Sequence, residues 1–285
     1  MLKKFKSFFI RYKEFHKKII IDIYNIILDS KQVSGRLFTI IFNLQLMLKT
    51  NNRCYFDGEK YFVKDLDTNI IYFFYEKSHR KYFVDGLEKQ GIKIGNKYFL
   101  DEIKFDENDL VIDCGANLGT LKLYFLYKNI DISYIGIEPE PTTYKCLQKN
   151  VSPSKTLNIG LWNEEKTLEF FLFSKGSDSS FIKPKKFTEK IEIKTKRLDV
   201  LFPDDKIKLL KVEAEGAEPE VIAGLENILD NIEYISCDLG PERGINEETT
   251  FVPVINYLYN KGFELISVNN YFVLLKNKNK GIKYK

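Results

Sequence analysis

The sequence is poor in the residues that build metal centres and disulfide frameworks. Its 285 residues include two histidines and four cysteines, and no two cysteines form a CxxC pair. Cys114 and Cys237 lie in apolar, strand-like runs, where free thiols pack as small hydrophobic side chains. We therefore expect a reducing compartment, the cytoplasm, and neither a zinc site nor a His-rich metal centre. A site built from carboxylates alone, and with it a divalent metal ion, stays open.

Long apolar runs and a strong excess of one charge are also missing. No stretch reaches the roughly 18 to 20 apolar residues that a membrane span needs. Charged residues interrupt the basic start of the chain, which excludes the apolar core of a signal peptide. With 44 Lys and Arg against 40 Asp and Glu, the net charge of +4 gives no reason to expect a nucleic acid as partner.

Residues 1–100 are predicted to form a helical and mixed N-terminal extension. In residues 1–30 an apolar residue recurs every three or four positions, as in an amphipathic helix, and the other face is rich in lysine. Such a helix would pack on its own domain or on a second subunit of a homo-oligomer, and contact with a membrane surface is the alternative. Short strand-like pieces at 53–58 and 60–65 and a helix-like run at 70–92 follow.

Residues 101–285 alternate between strand-like and helix-like segments. "DLVIDCG" and "IKLLKVEAEG" are typical of buried strands that run into a loop and a helix. This alternation predicts an α/β domain with a mostly parallel sheet covered on both faces. The last segment, "FELISVNNYFVLLKN", predicts a terminal antiparallel hairpin that turns at Asn269 and Asn270.

The segment "VIDCGANLG" joins the first of these strands to a helix, where sheets of this kind bind ligands. Gly115 and Gly119 allow a tight turn and a close approach of the backbone to a ligand. A dinucleotide-binding loop reads GxGxxG, but Asn117 and Thr120 stand at its second and third glycine positions. Asp113 would repel a pyrophosphate and attract a cation. The loop therefore favours S-adenosylmethionine, which carries a sulfonium and an ammonium group, over NAD.

Two further residues are candidates for the same cofactor site. Glu138 ends the second strand, 25 residues after Asp113, close to the spacing at which an acid accepts hydrogen bonds from ribose hydroxyls. Trp162, the only tryptophan, follows the third strand. There it would stack on an adenine or pack in the core, and the sequence favours neither interpretation.

Four blocks in this order resemble the FkbM-type methyltransferases, which are S-adenosylmethionine-dependent O-methyltransferases: "VIDCGANLG", "GIEPEPTTYKCLQKN", "KTKRLDVL" and "LLKVEAEGAEPEVIAGLENIL". The resemblance covers roughly residues 75–275. It implies a Rossmann-like class I methyltransferase fold, with Asp113, Gly115, Asn117 and Glu138 in the cofactor site. Many members read K-I-D-V-E-G at the fourth strand, whereas Glu213 stands here in place of the Asp.

Transfer of a methyl group to a hydroxyl calls for a nearby base or metal, because an alcohol is too weak an acid to ionise at neutral pH. The candidate catalytic acids follow the fourth and fifth strands and are Glu213, Glu215 and Asp238. If the fourth strand runs to about Ala214, the two-residue period places Glu213 and Glu215 on the same side.

Two polar loops are predicted to bind the acceptor. "GSDSS" provides Asp178 and Ser179, which suit a polyol, and "DLGPERG" provides Glu242 and Arg243. Arg243 would bind an acidic or phosphorylated group bidentately. We expect methylation of a hydroxyl on a sugar, a sugar nucleotide or a glycan precursor, as in surface polysaccharide biosynthesis. The alternatives are a lipid-linked or polyketide-like acceptor and a non-catalytic Rossmann-like interaction module, and the missing glycines disfavour a nicotinamide-dependent oxidoreductase.

Overall fold

The chain divides between Leu87 and Glu88 into two units. The computed structural model describes residues 18–30, 32–173 and 179–278. The sequence predicted a boundary between residues 100 and 101, and all of the helix Leu87–Lys97 except its first residue belongs to the second unit. A Cβ atom at Gly95 would stand only 2.1 Å from the ring of Tyr124.

The first unit contains helices and a three-stranded antiparallel meander with the strand order β1-β2-β3. Its elements are α1 (18–28), α2 (Gly35–Met47), β1 (Asn52–Phe56), β2 (Tyr61–Asp65), β3 (Ile71–Phe74), a 3₁₀ turn (Lys77–His79) and α3 (Arg80–Phe83). Aromatic rings fill its core, with Tyr61 4.8 Å from Phe38 and 5.3 Å from Phe74 between ring centroids.

The two strands predicted at 53–58 and 60–65 are confirmed, and part of the helix predicted at 70–92 is wrong. Residues Ile71–Phe74 form β3, which pairs with β2. Tyr72 and Phe74 are fully buried, and Phe73 between them is only partly buried, which is the two-residue period of a strand. A short apolar run without polar positions does not distinguish a strand from a buried helix, and the aromatic residues fit the strand better.

The second unit is built on a seven-stranded sheet with the order β12-β13-β11-β10-β4-β5-β6. These strands are β4 (Asp109–Cys114), β5 (Ile132–Ile137), β6 (Lys155–Leu157), β10 (Ile207–Val212), β11 (Ile232–Asp238), β12 (Phe263–Asn269) and β13 (Phe272–Asn277). In this sheet the neighbours β11, β10, β4, β5 and β6 are parallel, and β13 is antiparallel to both β11 and β12. The predicted mostly parallel sheet with a terminal hairpin is confirmed, and Asn270 adopts the left-handed conformation at the turn, with φ 54°.

Helices and a smaller sheet surround these strands. The helices are α4 (Leu87–Lys97), α5 (Leu121–Lys128), α6 (Pro141–Asn150), α7 (Leu198–Leu201), α8 (Glu218–Ala223) and α9 (Phe251–Asn260), with 3₁₀ turns at Leu100–Glu102 and Leu229–Asn231. The smaller sheet has the order β7-β9-β8, formed by β7 (Gly160–Leu161), β8 (Lys166–Leu172) and β9 (Glu189–Lys196).

Apolar layers cover both faces of the large sheet. Ile112 and Leu210 belong to one layer, and Val111 and Leu209 belong to the other. Successive side chains of a strand point to opposite faces, so strands covered on both sides are continuous apolar runs. Burial of each such side chain contributes about 1.5–3 kcal/mol.

The order of the strands places the ligand crevice. From β4 the chain continues to β5 on one side, and it later returns to β10 on the other side of β4. Val212 and Cys114 are paired in register, so the carboxyl ends of β10 and β4 lie side by side. Ligands of open α/β sheets bind beyond the strand ends at such a reversal.

Candidate functional site

The loop after β4 is held against the end of β5 by backbone hydrogen bonds. The N–H groups of Gly115 and Ala116 both donate to the carbonyl oxygen of Ile137 at 3.0 Å. The N–H of Asn117 donates to Glu138 Oε2 at 2.9 Å. The loop and the acid predicted to bind ribose therefore form one unit.

The two glycines of this loop are required by close packing within the chain. A Cβ atom at Gly115 would lie 1.9 Å from the carbonyl oxygen of Glu213. At Gly119 it would lie 2.5 Å from a methyl group of Val151. Both glycines also have positive φ angles, 69° and 76°, where a side chain is strained. The tight turn predicted here is confirmed by these angles, and the close approach to a ligand stays a prediction. The atoms that would clash with a side chain belong to the protein itself.

Asp113 is buried and its charge is compensated. Its Oδ2 accepts a hydrogen bond from the Tyr134 hydroxyl at 2.6 Å, and its Oδ1 lies 3.0 Å from the Lys211 ammonium. Lys211 also donates to the carbonyl oxygens of Cys114 and Gly115 at 3.2 and 2.9 Å. Asp113 thus fixes the start of the loop from the protein interior. The positive charge of Lys211 offsets the negative charge of Asp113, which was expected to attract a cation.

The two carboxylate oxygens of Glu138 can each accept a hydrogen bond from one of the two hydroxyl groups of a ribose. Its two carboxylate oxygens each accept one backbone N–H at 2.9 Å, from Asn117 and from Glu140, which leaves each oxygen a further lone pair. Burial raises the pKa of Glu138 to about 7, although these two hydrogen bonds oppose the shift. Within the described residues, the buried Oδ1 of Asn117 accepts no hydrogen bond, so it offers another acceptor beside Glu138.

Glu213 lies between two lysines at the end of β10. Its Oε1 is 3.0 Å from Lys97 Nζ and its Oε2 is 3.1 Å from Lys211 Nζ. Burial alone would raise the pKa of Glu213, but the charges of Lys211 and Lys97 outweigh it and lower the pKa to about 2. A carboxylate stabilised this strongly as an anion is a weak proton acceptor.

Asp238 and Glu242 form a carboxyl pair after β11. A Cβ atom at Gly240 would meet Glu242 Oε1 at 3.2 Å and Asp238 Oδ1 at 3.3 Å, so both carboxyl groups lie on the same side of Gly240. Burial, followed by the negative charge of Asp238, raises the pKa of Glu242 to about 8. Burial and the charge of Glu213 also raise the pKa of Asp238. The pair therefore retains a proton near neutral pH.

The strand period does not place Glu215 beside Glu213, because β10 does not run to Ala214 as the prediction assumed. β10 ends at Val212, and Glu215 has a left-handed backbone with φ 50°. Its carbonyl oxygen accepts the Ser180 hydroxyl at 2.6 Å. Glu215 lies in the turn from β10 to α8, so two-residue alternation ends before it.

Arg243 forms ion pairs within the chain. Its Nη1 and Nη2 atoms contact the two carboxylate oxygens of Glu220 at 2.9 and 2.7 Å, and Nη1 also donates to the carbonyl oxygen of Gly216. The structure thus places Arg243 in the loop after β11, but the N–H groups with which it would bind an anion already donate to Glu220 and Gly216. Arg243 connects the loop after β10 to the loop after β11.

The remaining predicted residues lie near the smaller sheet. Trp162 is buried, and its ring centroid lies 5.7 Å from that of Phe181, which agrees with the core-packing interpretation. Ser179 accepts the backbone N–H of Phe173 at 3.1 Å through its hydroxyl. Asp178 lies outside the described residues.

Lys97 and Lys211 are the residues of the site that sequence reasoning left out. Lys211 lies in the apolar run "IKLLKV", and a lysine buried at a strand centre requires acidic partners, which was a usable signal. Lys97 gave no such signal, because its partner Glu213 is 116 residues away in the chain. Within the described residues, no group of three or more His, Cys, Asp and Glu side chains is arranged to hold a metal ion.

Comparison with known proteins shows that the sequence is similar to methyltransferases. The Methyltransferase FkbM domain family matches residues 113–265. The chain is 28% identical over 186 residues to Methyltransferase sdnD of Sordaria araneosa, which covers 51% of this chain and 72% of that protein. It is 25% identical over 170 residues to Methyltransferase 1 of Beauveria bassiana, covering 48% and 68%. The structure of M. capricolum TrmK in complex with S-adenosyl-homocysteine aligns with a TM-score of 0.37 and 8% identity, over 65% of this chain and 68% of that one.

Proposed function

The chain belongs to the family of FkbM methyltransferases, and we propose that it methylates a hydroxyl of a sugar or glycan precursor. Family membership rests on the match over residues 113–265, more than half of the chain. It confirms the expected methyltransferase activity and S-adenosylmethionine as the methyl donor. Methylation at oxygen, the sugar acceptor and a role in surface polysaccharide biosynthesis in the cytoplasm are our proposal.

The loop 113–119 and Glu138 would hold the cofactor. Glu138 offers one lone pair on each carboxylate oxygen to the two ribose hydroxyls, and Asn117 adds a buried acceptor beside them. When bound, S-adenosylmethionine supplies an electrophilic methyl group on a positively charged sulfur. The acidic side chains Glu138, Asp238 and Glu242 suit a ligand that carries positive charge and no phosphate.

Glu242 carries the proposal of oxygen as the methylated atom. A hydroxyl must lose its proton during or after the attack on the methyl group, and a base works best when its pKa is near the working pH. Glu242, with a pKa raised to about 8, meets this requirement, whereas Glu213, with a pKa near 2, does not. We assign Glu242 as the proton acceptor and Asp238 as the neighbour whose charge raises its basicity.

The carboxyl groups of Glu138, Asp238 and Glu242 also support a polyol as the acceptor. Carboxylates accept hydrogen bonds from hydroxyl groups, and a sugar presents several of them in a fixed geometry. A lipid-linked or polyketide-like acceptor is the second candidate, and the exposed apolar side chains of the first unit favour it. Ile26 of α1 is 74% exposed, and Ile40 and Met47 of α2 are each 59% exposed.

Cofactor binding is tested by thermal unfolding. S-adenosylmethionine or its demethylated product should raise the melting temperature by roughly 5 °C or more at about 100 times the Kd, because it binds the native state. NAD should leave the melting temperature unchanged. A shift with NAD and none with S-adenosylmethionine would contradict the assignment of the site.

Methylation at oxygen is tested with the Glu242→Gln variant. Labelled S-adenosylmethionine is incubated with nucleotide sugars and lipid-linked sugars, and products are identified by mass spectrometry. The variant should bind the cofactor normally and lose roughly 10²–10⁴-fold in turnover, because general base catalysis contributes about that much. The control Glu264→Gln, on an exposed position of β12, should keep full turnover. Unchanged turnover in Glu242→Gln, or methyl transfer to a nitrogen or carbon atom, would refute the proposal.

A further inference from the structure

The two long helices of the first unit expose apolar side chains on their outward faces. On α1 these are Ile19, Ile20, Ile23, Ile26 and Ile27, and on α2 and its C-terminal cap they are Leu37, Ile40, Leu44, Met47 and Leu48, with exposures from 37% to 74%. We call these ten side chains the apolar helix surface. None of the described helices is long and apolar enough to cross a membrane.

The apolar helix surface is not needed for the core of the first unit. α2 already buries another set of side chains, Phe38, Ile41, Phe42, Gln45 and Leu46. On α1 the more buried positions are Ile21, Tyr24, Asn25 and Leu28. α2 is therefore apolar around most of its circumference, which is typical of a helix that is covered on more than one side. Exposed apolar patches of this kind mark interaction sites.

Charge along the chain indicates what covers this surface. Residues 1–50 contain ten Lys and Arg against three Asp and Glu, and residues 51–285 contain 34 against 37. The first 50 residues thus carry a net charge of +7 in a protein whose total is +4. A second copy of the chain would bring two strongly basic segments together, and their like charges disfavour this contact. Six of the ten basic residues lie in residues 1–17, so the exposed apolar side chains of α1 directly follow a basic segment of the sequence. Apolar side chains next to such a segment match a bilayer of anionic lipids.

We propose that the apolar helix surface docks on the face of an anionic lipid bilayer, with α1 and α2 lying in the plane of the interface. The isoleucine and leucine side chains enter the boundary between headgroups and acyl chains, and the net positive charge of the first 50 residues attracts the anionic lipids. Docking goes beyond the proposed methyl transfer and does not depend on it, since the surface lies in the first unit and the site lies in the second.

The test is flotation of the full chain with vesicles of two compositions. Vesicles of phosphatidylcholine mixed with phosphatidylglycerol should carry the protein, and vesicles of phosphatidylcholine alone should carry much less. The variant Ile26→Ser, Ile40→Ser, Met47→Ser should bind the mixed vesicles at least roughly 100-fold more weakly, because burial of one such side chain is worth about tenfold in an equilibrium constant. A matched control changes three similarly exposed residues of the second unit, Val200, Ile245 and Val252, which are 55%, 60% and 61% exposed, to serine and should bind like the wild type.

Three results would overturn the proposal. They are failure of the wild type to float with mixed vesicles, equal binding to both vesicle compositions, and equal losses in the surface variant and the control. A dimer in light scattering that the surface variant abolishes, without vesicle binding by the wild type, would assign the surface to a second copy instead. The shift in melting temperature with S-adenosylmethionine shows that each variant is folded, and a missing shift in the wild type contradicts the cofactor site alone.

Discussion

β10 and β11 are neighbouring strands, and a glutamate follows each of them. The pKa values of these two glutamates are shifted in opposite directions. At the end of β10, Glu213 is held by Lys97 and Lys211, and its pKa is lowered to about 2. After β11, Glu242 stands beside Asp238, and its pKa is raised to about 8. Burial acts in the same direction on both carboxyl groups. The difference arises from the neighbours, which are cations in one case and an anion in the other.

Among the substitutions at these two strand ends, removal of the Lys211 ammonium should cause the largest loss in the free energy of unfolding. Lys211→Met leaves Asp113 and Glu213 without a buried cation, and breaking such a pair costs about 3–5 kcal/mol in the free energy of unfolding. Urea denaturation measures it. Lys190→Met, which breaks the exposed pair with Glu169, should change stability by less than about 1 kcal/mol. Equal losses in the two variants would contradict the role of Lys211.

The two glutamates should also give opposite dependences of stability on pH. Glu213 has its pKa lowered from 4.5 to about 2, so its stabilising contribution is complete above pH 4.5 and is lost as the pH falls toward 2. Glu242 has its pKa raised from 4.5 to about 8, so its contribution is complete below pH 4.5 and is lost as the pH rises through 8. Urea midpoints should therefore fall between about pH 4.5 and 8 in the wild type and fall less in Glu242→Gln. A steeper fall in that variant would refute the assignment.

The rate of methyl transfer should follow the ionisation of Glu242. kcat/KM should rise with pH and level off above about pH 8, since the deprotonated carboxylate is the active form. Asp238→Asn removes the neighbouring negative charge and should move the midpoint down by about one pH unit. Lys97→Met removes a positive charge that lowers the pKa of Glu242, so it should move the midpoint up. Shifts of both variants in the same direction would show that charge is not the cause.

The smallest expected effect belongs to the hydrogen bond under the cofactor loop. Tyr134→Phe removes the hydroxyl that donates to Asp113 at 2.6 Å and should lower the free energy of unfolding by about 1–3 kcal/mol. The affinity for S-adenosylmethionine, measured by calorimetry, should fall less than in Glu138→Gln, which changes a group proposed to contact the ribose. A larger loss in Tyr134→Phe would place Asp113 in direct contact with the cofactor.

The sequence predicted the large sheet because its signals are local. β4, β5, β10 and β11 are each a buried apolar run followed by a loop and a helix, and that alternation is sufficient to infer parallel strands. The loop 113–119 and Glu138 could be placed for the same reason, since both follow strand ends. The run Ile71–Phe74 could not be assigned from its pattern, because every position in it is apolar.

The chemistry of the acids could not be predicted, because it depends on pairs that are distant in sequence. Glu213 and Glu242 are both glutamates after a strand, and the neighbours that separate their pKa values are Lys97, Lys211 and Asp238. Arg243 was expected to bind an acidic group of the acceptor, whereas in the structure it pairs with Glu220, which is 23 residues away and could not be inferred. The sequence can predict that a charged residue lies at the end of a strand, but only the fold shows whether an oppositely charged side chain lies next to it.

The contact between Gly115 and the backbone of Glu213 has a consequence for protein engineering. A side chain at Gly115 would push on the carbonyl of the residue that orders the acids after β10, so a substitution there reaches both halves of the crevice. On the proposed assignment of the two sites, a change in the loop that binds the methyl donor would also displace the acids proposed to face the acceptor. A library that seeks new cofactors by changing the loop 113–119 must vary the turn 213–217 together with it.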